Sequence, residues 1–247
     1  MPTATTTDLV SIEKMNLNFG NHEVLKALNL TVAAGENLVI MGRSGCGKSV
    51  LAKCIVGLVQ PDSGSIRVLN ESILSIAPNQ LNALRRRIGF LFQSGALYDS
   101  MNIAQNLAFP LRHHKELDKK AKRLLVEEAL THVGLAENYY DMPSSLSGGM
   151  RKRIALARTI IIKPELILYD EPTTGLDPIT ALEISELLIS IQVKYKAAAI
   201  IITHDQACAR TTANRILVMN NGAFIAEGSY AQLMQSAIPE VQALVHP

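Results

Sequence analysis

Two stretches of this sequence carry residue types suited to phosphate chemistry. The first is GRSGCGKS, Gly42 to Ser49, set between the apolar run NLVIM and a helical pattern. It matches G-x-x-x-x-G-K-[ST] in the strand–loop–helix context where that spacing has a mechanical meaning. Gly42, Gly45 and Gly47 let backbone N–H groups wrap an anion. Arg43, Ser44 and Cys46 complete the loop, and Val50 opens the helix behind it. Lys48 can reach β- and γ-phosphates, and the Ser49 hydroxyl can ligate Mg²⁺. The helix N-terminus adds a positive partial charge. The second stretch is LSGGMRKR, Leu146 to Arg153. Ser147 can cap a helix there, and Gly148 and Gly149 leave N–H groups open to an anion. One nucleotide does not need two such cradles, so the second has to serve something else.

Carboxylates supply the other half of the chemistry. LILYDE ends an apolar run with Asp170 and Glu171. Neighbours within a strand point to opposite faces, so the pair can share a site only where the chain bends at the strand's end. There Asp170 suits the Mg²⁺ shell, and Glu171 suits the orientation and deprotonation of a water. His204 follows the run AIIIT, and Gln93 follows IGFLF. Gln93 can reach a metal or the water, and His204 the γ-phosphate or the water. These polar groups, at the ends of successive strand-like segments, define one crevice of the kind where open α/β sheets bind ligands. Cys46 needs only to be small at its position; the alternative, a redox thiol, requires a lowered pKa.

The elements that must position these groups are legible as alternating patterns. Leu9–Phe19 and Val24–Val32 read as an antiparallel pair, turned at GNHE. NLVIM reads as a strand covered on both faces. Behind the glycine loop, Leu51, Cys54, Ile55 and Leu58 fall at helical spacing as one buried stripe. Residues 94–163 turn mostly helical, with an expected apolar face at Leu124, Leu125, Ala129, Leu130 and Val133. Strands return at LILY, AIIIT and RILVM, with a helix between the first two and an Asn-Gly turn after the last. Strand–helix–strand alternation with a helical insertion argues an α/β fold. Its core is expected over 1–93 and 164–234, the helical insertion over 94–163 and a helical or frayed tail over 235–247.

Bulk properties exclude some classes. A formal net charge of +2 lacks the basic excess of a nucleic-acid binder. Three scattered cysteines, Cys46, Cys54 and Cys208, have no metal-like spacing and suggest a reducing compartment. The opening MPTATTTDLV has neither a basic start nor an apolar run, so no signal peptide is expected. No run approaches membrane-span length.

LSGGM, taken with the phosphate loop, ILYDE, GLD and THD in that order, resembles the ATP-binding cassette family over nearly the whole chain. The resemblance implies a P-loop NTPase with a RecA-like core, an N-terminal antiparallel β-subdomain and an inserted α-helical subdomain. It implies ATP and Mg²⁺ as ligands, and a two-fold homodimer in which each signature loop closes over the γ-phosphate held by the other copy. Ser147, Gly148 and Gly149 would then act in trans, with Lys48, Ser49, Gln93, Asp170, Glu171 and His204 in cis. Asp177 would lie between the two sites. Phe19 is the positional match for the aromatic that stacks on adenine, with a core role as the alternative. One departure is Met150, where the family commonly has Gln; the amide contact is lost, while the serine and backbone donors remain.

FQSGALYDSMNIAQNLAFPLR (Phe92–Arg112), together with YDEPTTGLDPIT, is similar to the ATPases of Mce-associated lipid transporters, the bacterial Mla system among them. That likeness implies phospholipid transport between inner and outer membranes, from the cytoplasmic face of the bacterial inner membrane. The implied partners are two copies of a membrane permease, a Mce-type lipid-binding ring and, in some systems, a small STAS-domain protein. Two alternatives stay open: an amino-acid or ion importer ATPase, and a soluble cassette acting on DNA or ribosomes. The charge runs Arg85–Arg87 and Arg151–Arg153 read as solvated faces; a headgroup or permease contact for the first and a cation near the nucleotide for the second are the alternatives.

Overall fold

A computed structural model describes residues 8–246; the first seven residues, part of the stretch read above for a signal peptide, lie outside it. The chain opens with β1 (Asp8–Phe19), β2 (His22–Ala33) and β3 (Asn37–Met41), then α1 (Lys48–Ile55), β4 (Ser63–Val68) and β5 (Glu71–Ser72). It continues through α2 (Pro78–Arg85), β6 (Ile88–Leu91), α3 (Ile103–Ala108), α4 (Lys119–His132) and α5 (Gly148–Ile160). It closes with β7 (Leu166–Asp170), α6 (Pro178–Tyr195), β8 (Ala198–Thr203), α7 (Gln206–Thr212), β9 (Arg215–Asn220), β10 (Ala223–Gly228), α8 (Tyr230–Leu233) and α9 (Pro239–Val245).

Two sheets result. One is antiparallel, in the order β2-β1-β4-β5. The other runs β10-β9-β3-β8-β7-β6, parallel except for its β10 edge. Parallel strands need cover on both faces, and the apolar runs supply it. In β3, Leu38 and Ile40 pack toward the antiparallel sheet and α1, while Val39 and Met41 pack toward α6 and α7. Period-two alternation thus divides one strand between two cores. A third core, built from Ile103, Leu107, Val126, Leu130, Ile154 and Ala157, holds α3, α4 and α5 together.

Two apolar stripes differ from expectation. α1 ends at Ile55, Gly57 follows at φ 68°, and Leu58 is 53% exposed. The glycine turns the chain out of the helix before the stripe's last member can reach the core. In α4 the buried positions are Val126, Ala129 and Leu130, continued by Val133, while Leu124 faces solvent at 57% exposure. The true stripe keeps i, i+3, i+4, i+7 spacing but starts two residues later, because packing against α3 and α5 selects the face. At the chain's other end, Val241 and Val245 of α9 are buried in the second core, and the Tyr230 hydroxyl donates to the Val245 carbonyl. Among the described residues no helix is long and apolar enough to cross a membrane.

What matters for chemistry is the edge of the large sheet. β3, β8, β7 and β6 are neighbours and parallel, so their C-terminal ends emerge side by side. The phosphate loop, His204, the Asp170–Glu171 pair and Gln93 leave from those four ends in that order.

Candidate active site

The phosphate loop is shaped by close packing. A Cβ on Gly42 would fall on the Met219 carbonyl oxygen and within 2.7 Å of Cys46 Sγ. Gly47 sits at φ 108° against Leu25, with no room for a side chain. Behind the loop, the Asn221–Gly222 turn of the β9–β10 hairpin braces it: the Gly222 N–H donates to the Cys46 carbonyl at 3.1 Å. Arg43, Ser44 and Gly45 form the exposed mouth, whereas Cys46 is buried with its sulfur 3.9 Å from Lys48 Nζ. That placement gives Cys46 a space-filling role under the loop.

Lys48 is 6% exposed. Its ammonium donates to the carbonyls of Gly42 (2.7 Å) and Arg43 (2.9 Å) and lies 4.0 Å from Glu171 Oε1. The Ser49 hydroxyl donates to Asp170 Oδ1 at 2.9 Å. Burial pushes the Asp170 carboxyl up from its usual range, beyond what the Ser49 hydrogen bond and the Lys48 charge pull down. A cation beside Ser49 and Asp170 would relieve that burial cost, so the donor set fits a hard divalent ion. The Ser49 hydroxyl and the Asp170 carboxylate are oxygen ligands of the kind Mg²⁺ takes, with phosphates and water filling the rest of its shell.

Glu171 leaves β7 at φ 51°, a left-handed backbone that costs a non-glycine residue about 1–3 kcal/mol. This is the bend that lets Asp170 and Glu171 face one site. Its N–H donates to the Ile202 carbonyl, and its carboxylate accepts from the Thr174 hydroxyl at 3.0 Å. His204 Nδ1 stands 2.9 Å from the same carboxylate. A cavity of about 180 Å³ joins Lys48, Ser49, Gln93, Glu171 and His204, with Val50 on its wall. No residue of the 146–153 stretch lines it.

The second cradle is built differently. Ser147 caps α5, its oxygen accepting from the Met150 N–H at 3.3 Å, and it is exposed together with Gly148. Gly149 lies close against Thr180. Gly148 borders a separate cleft, with Gly95, Arg151 and Gly175 among its walls. Asp177 caps α6 through the N–H groups of Ile179 and Thr180, and the Thr180 hydroxyl bond holds its carboxyl below the usual range. Phe19 ends β1 with 53% of its surface exposed, which leaves the ring free to stack rather than committed to a core.

Lys152 was missed by reading Arg151–Arg153 as a solvated run. It is 8% exposed, and its ammonium donates to the backbone carbonyls of Gln93 (2.6 Å) and Glu171 (3.2 Å). Burial pushes its pKa down, against the charges of Glu171 and Asp170. The signal was present: Lys152, Ala155, Leu156 and Thr159 fall at i, i+3, i+4, i+7, the inward face of α5. In the other basic run, Arg85 donates to the carbonyls of Val56 and Gly57 at the end of α1, and Arg87 pairs with Glu165.

A phosphate loop between a parallel strand and a helix, faced by a carboxylate pair and a polar strand tip, defines a P-loop nucleoside triphosphatase. A family model described as ABC transporter matches residues 25–174. The chain belongs to the ABC transporter family, and is its ATPase cassette. A relative from Mycobacterium tuberculosis, named as a probable ribonucleotide transport ATP-binding protein mkl, is 38% identical over 94% of this chain and 66% of its own length. The methionine import ATP-binding protein MetN of Brucella abortus is 37% identical over 92% of this chain and 61% of its own. The chain thus spans just under two thirds of these relatives' length. Among solved structures, a dimeric post-hydrolysis state of the cassette MJ0796 bound to ADP and Pi aligns with TM-score 0.81 and 29% identity, covering 89% of this chain and 98% of that one. The cassette cbiO1 of Clostridium perfringens, part of the complex cbiONQ, aligns with TM-score 0.83 and 28% identity over 97% of this chain and 99% of that one.

Proposed function

We propose that two copies of this chain enclose two ATP molecules and that hydrolysis drives a membrane partner. The observation that carries this reading is the division of the machinery. The Lys48 cavity holds the phosphate loop, the candidate base and His204, while the exposed Ser147 and Gly148 and the half-buried Gly149 lie outside it. A cradle without a nucleotide of its own is completed by another copy's γ-phosphate. In each site Lys48 and the loop N–H groups bind the phosphates, and Phe19 stacks on adenine. Glu171 takes the proton of the attacking water, oriented by His204 and Gln93. Ser49 and Asp170, with Gln93, would hold Mg²⁺, which would supply neutralisation of the charge that develops on the phosphates. Asp177, rigid at its helix cap, sits between the two sites. ATP favours the closed dimer because both copies grip it; loss of the γ-phosphate removes the shared contact. On this reading 1–93 and 164–234 form the nucleotide-binding core, 94–163 the helical signature subdomain and 235–247 the tail.

The partner is a membrane permease, in two copies. An exposed apolar groove of about 170 Å³, lined by Val56, Leu58, Arg85, Ile88, Phe90 and Phe92, opens beside the chain that leaves β6 toward Gln93 and suits such docking. The cargo is phospholipid moved between inner and outer membranes, with a Mce-type ring protein and a STAS-domain subunit as further partners, at the cytoplasmic face of the inner membrane. The likeness of 92–112 to Mce-associated ATPases supports this cargo. A second reading, import of a small polar solute, draws support from the names of the mycobacterial and Brucella relatives. Purification of the native complex in mild detergent, followed by lipid extraction and ATPase assay, separates them. Enriched phospholipid and stimulation by phospholipid support the first reading; stimulation by methionine or a nucleotide with no enriched lipid refutes it.

A further inference from the structure

Buried lysines are expensive, and an apolar side chain would fill the space of Lys152 beside Ala155 and Leu156 at lower desolvation cost. The charge is therefore unexplained as packing. Its neighbours Arg151 and Arg153 do not share its surroundings: Arg151 is exposed, and Arg153 binds Glu183 and the Val133 carbonyl. Lys152 alone turns inward, one turn after the Ser147 cap. Its two acceptors are not arbitrary. They are the main-chain carbonyls of Gln93 and Glu171, the residues at the ends of β6 and β7 whose side chains face the Lys48 cavity.

Each acceptor needs holding. Glu171 adopts a left-handed backbone, with its N–H tied to Ile202. Its carbonyl is the second handle on that peptide geometry, and Lys152 grips it. Gln93 stands exposed just past the end of β6. One ammonium binding both carbonyls fixes the two strand ends relative to each other and to α5.

We propose that Lys152 is a positioning residue for hydrolysis: clamping the Gln93 and Glu171 carbonyls, it aims the glutamate carboxylate and glutamine amide at the attacking water. This rests on the assignment of Glu171 as the base. A cation with several N–H donors meets the requirement, so arginine substitutes and methionine does not. The helix that presents Ser147 outward thereby also braces its own copy's base.

The test uses ATP hydrolysis and ATP-dependent dimerisation by the full chain carrying K152M, K152R, E171Q or E171Q/K152M. K152M should lose about 10- to 100-fold in kcat with KM within about threefold, because misalignment costs the transition state and not ground-state binding. K152R should recover most of that loss. E171Q/K152M should dimerise with ATP as E171Q does, and K152M should cost much less hydrolysis in the E171Q background than in the wild type, since one of the two groups that Lys152 aims is already gone. Unchanged kcat in K152M overturns the proposal. So does a KM that rises in step with the loss, or failure of E171Q/K152M to dimerise, either of which marks a packing role. If E171Q itself hydrolyses ATP at the wild-type rate, the base assignment has failed, and this inference falls with it.

Discussion

The two phosphate cradles share one design and differ in what surrounds it. Each places glycines at a helix N-terminus, in the loop before α1 in one case and in the first turn of α5 in the other. Around the first stand a buried lysine, two buried carboxylates and a histidine, with Ser49 bonded to Asp170 and His204 set against Glu171. The second offers an exposed serine cap and two glycines, with its inward cation directed at backbone carbonyls instead of the cradle. The contrast is what the proposed division between copies predicts: on that proposal the first cradle grips a nucleotide alone, and the second completes a site only when another copy supplies the nucleotide.

Breaking each side of this comparison should produce different failures. The largest effect is expected from Glu171→Gln. It should lower ATP turnover by about 10²- to 10⁴-fold, the range for a lost general base, while nucleotide binding persists and ATP-bound dimers accumulate on gel filtration. Wild-type phosphate release would remove Glu171 from that role. Ser147→Arg should cost about 10²- to 10³-fold in hydrolysis by filling the second cradle, yet leave nucleotide affinity of the isolated monomer within about threefold. Equilibrium binding of a fluorescent ATP analogue to dilute protein measures this; collapsed monomer affinity would return Ser147 to its own copy's site. Phe19→Ala sharpens the comparison at the adenine end. With stacking worth about 0.5–1.5 kcal/mol, KM for ATP should rise roughly 2- to 10-fold at little change in kcat. An unaltered KM would leave the exposed ring without a nucleotide role.

Much of the first cradle was legible because its signals are local. Loop glycines, the lysine and the serine fall within eight consecutive residues, and each is required by backbone geometry or reach. The sheet edge was legible from apolar runs ending in polar residues. Less visible was anything decided by tertiary contact. Leu58 continues the α1 stripe in sequence, but the chain leaves the helix at Gly57. Leu124 fits a helical face, but the neighbours of α4 bury the one beginning at Val126. Lys152 sits in a basic triplet whose three members go to three environments, because successive helix positions differ by about 100°. The brace of the β9–β10 turn against the phosphate loop joins Cys46 to Gly222, a contact no local pattern announces.

The central claim, that each ATP is enclosed by two copies, is tested most directly by mixing two inactive variants. One copy carries Lys48→Ala, the other Ser147→Arg. In a mixed dimer, shared sites predict one site with both lesions and one with neither. Hydrolysis should therefore reappear on mixing, rising toward about one quarter of the wild-type rate for random pairing of two-fold dimers. A mixture that stays as inactive as either variant alone, with mixed dimers demonstrated by differential tagging, would contradict the account.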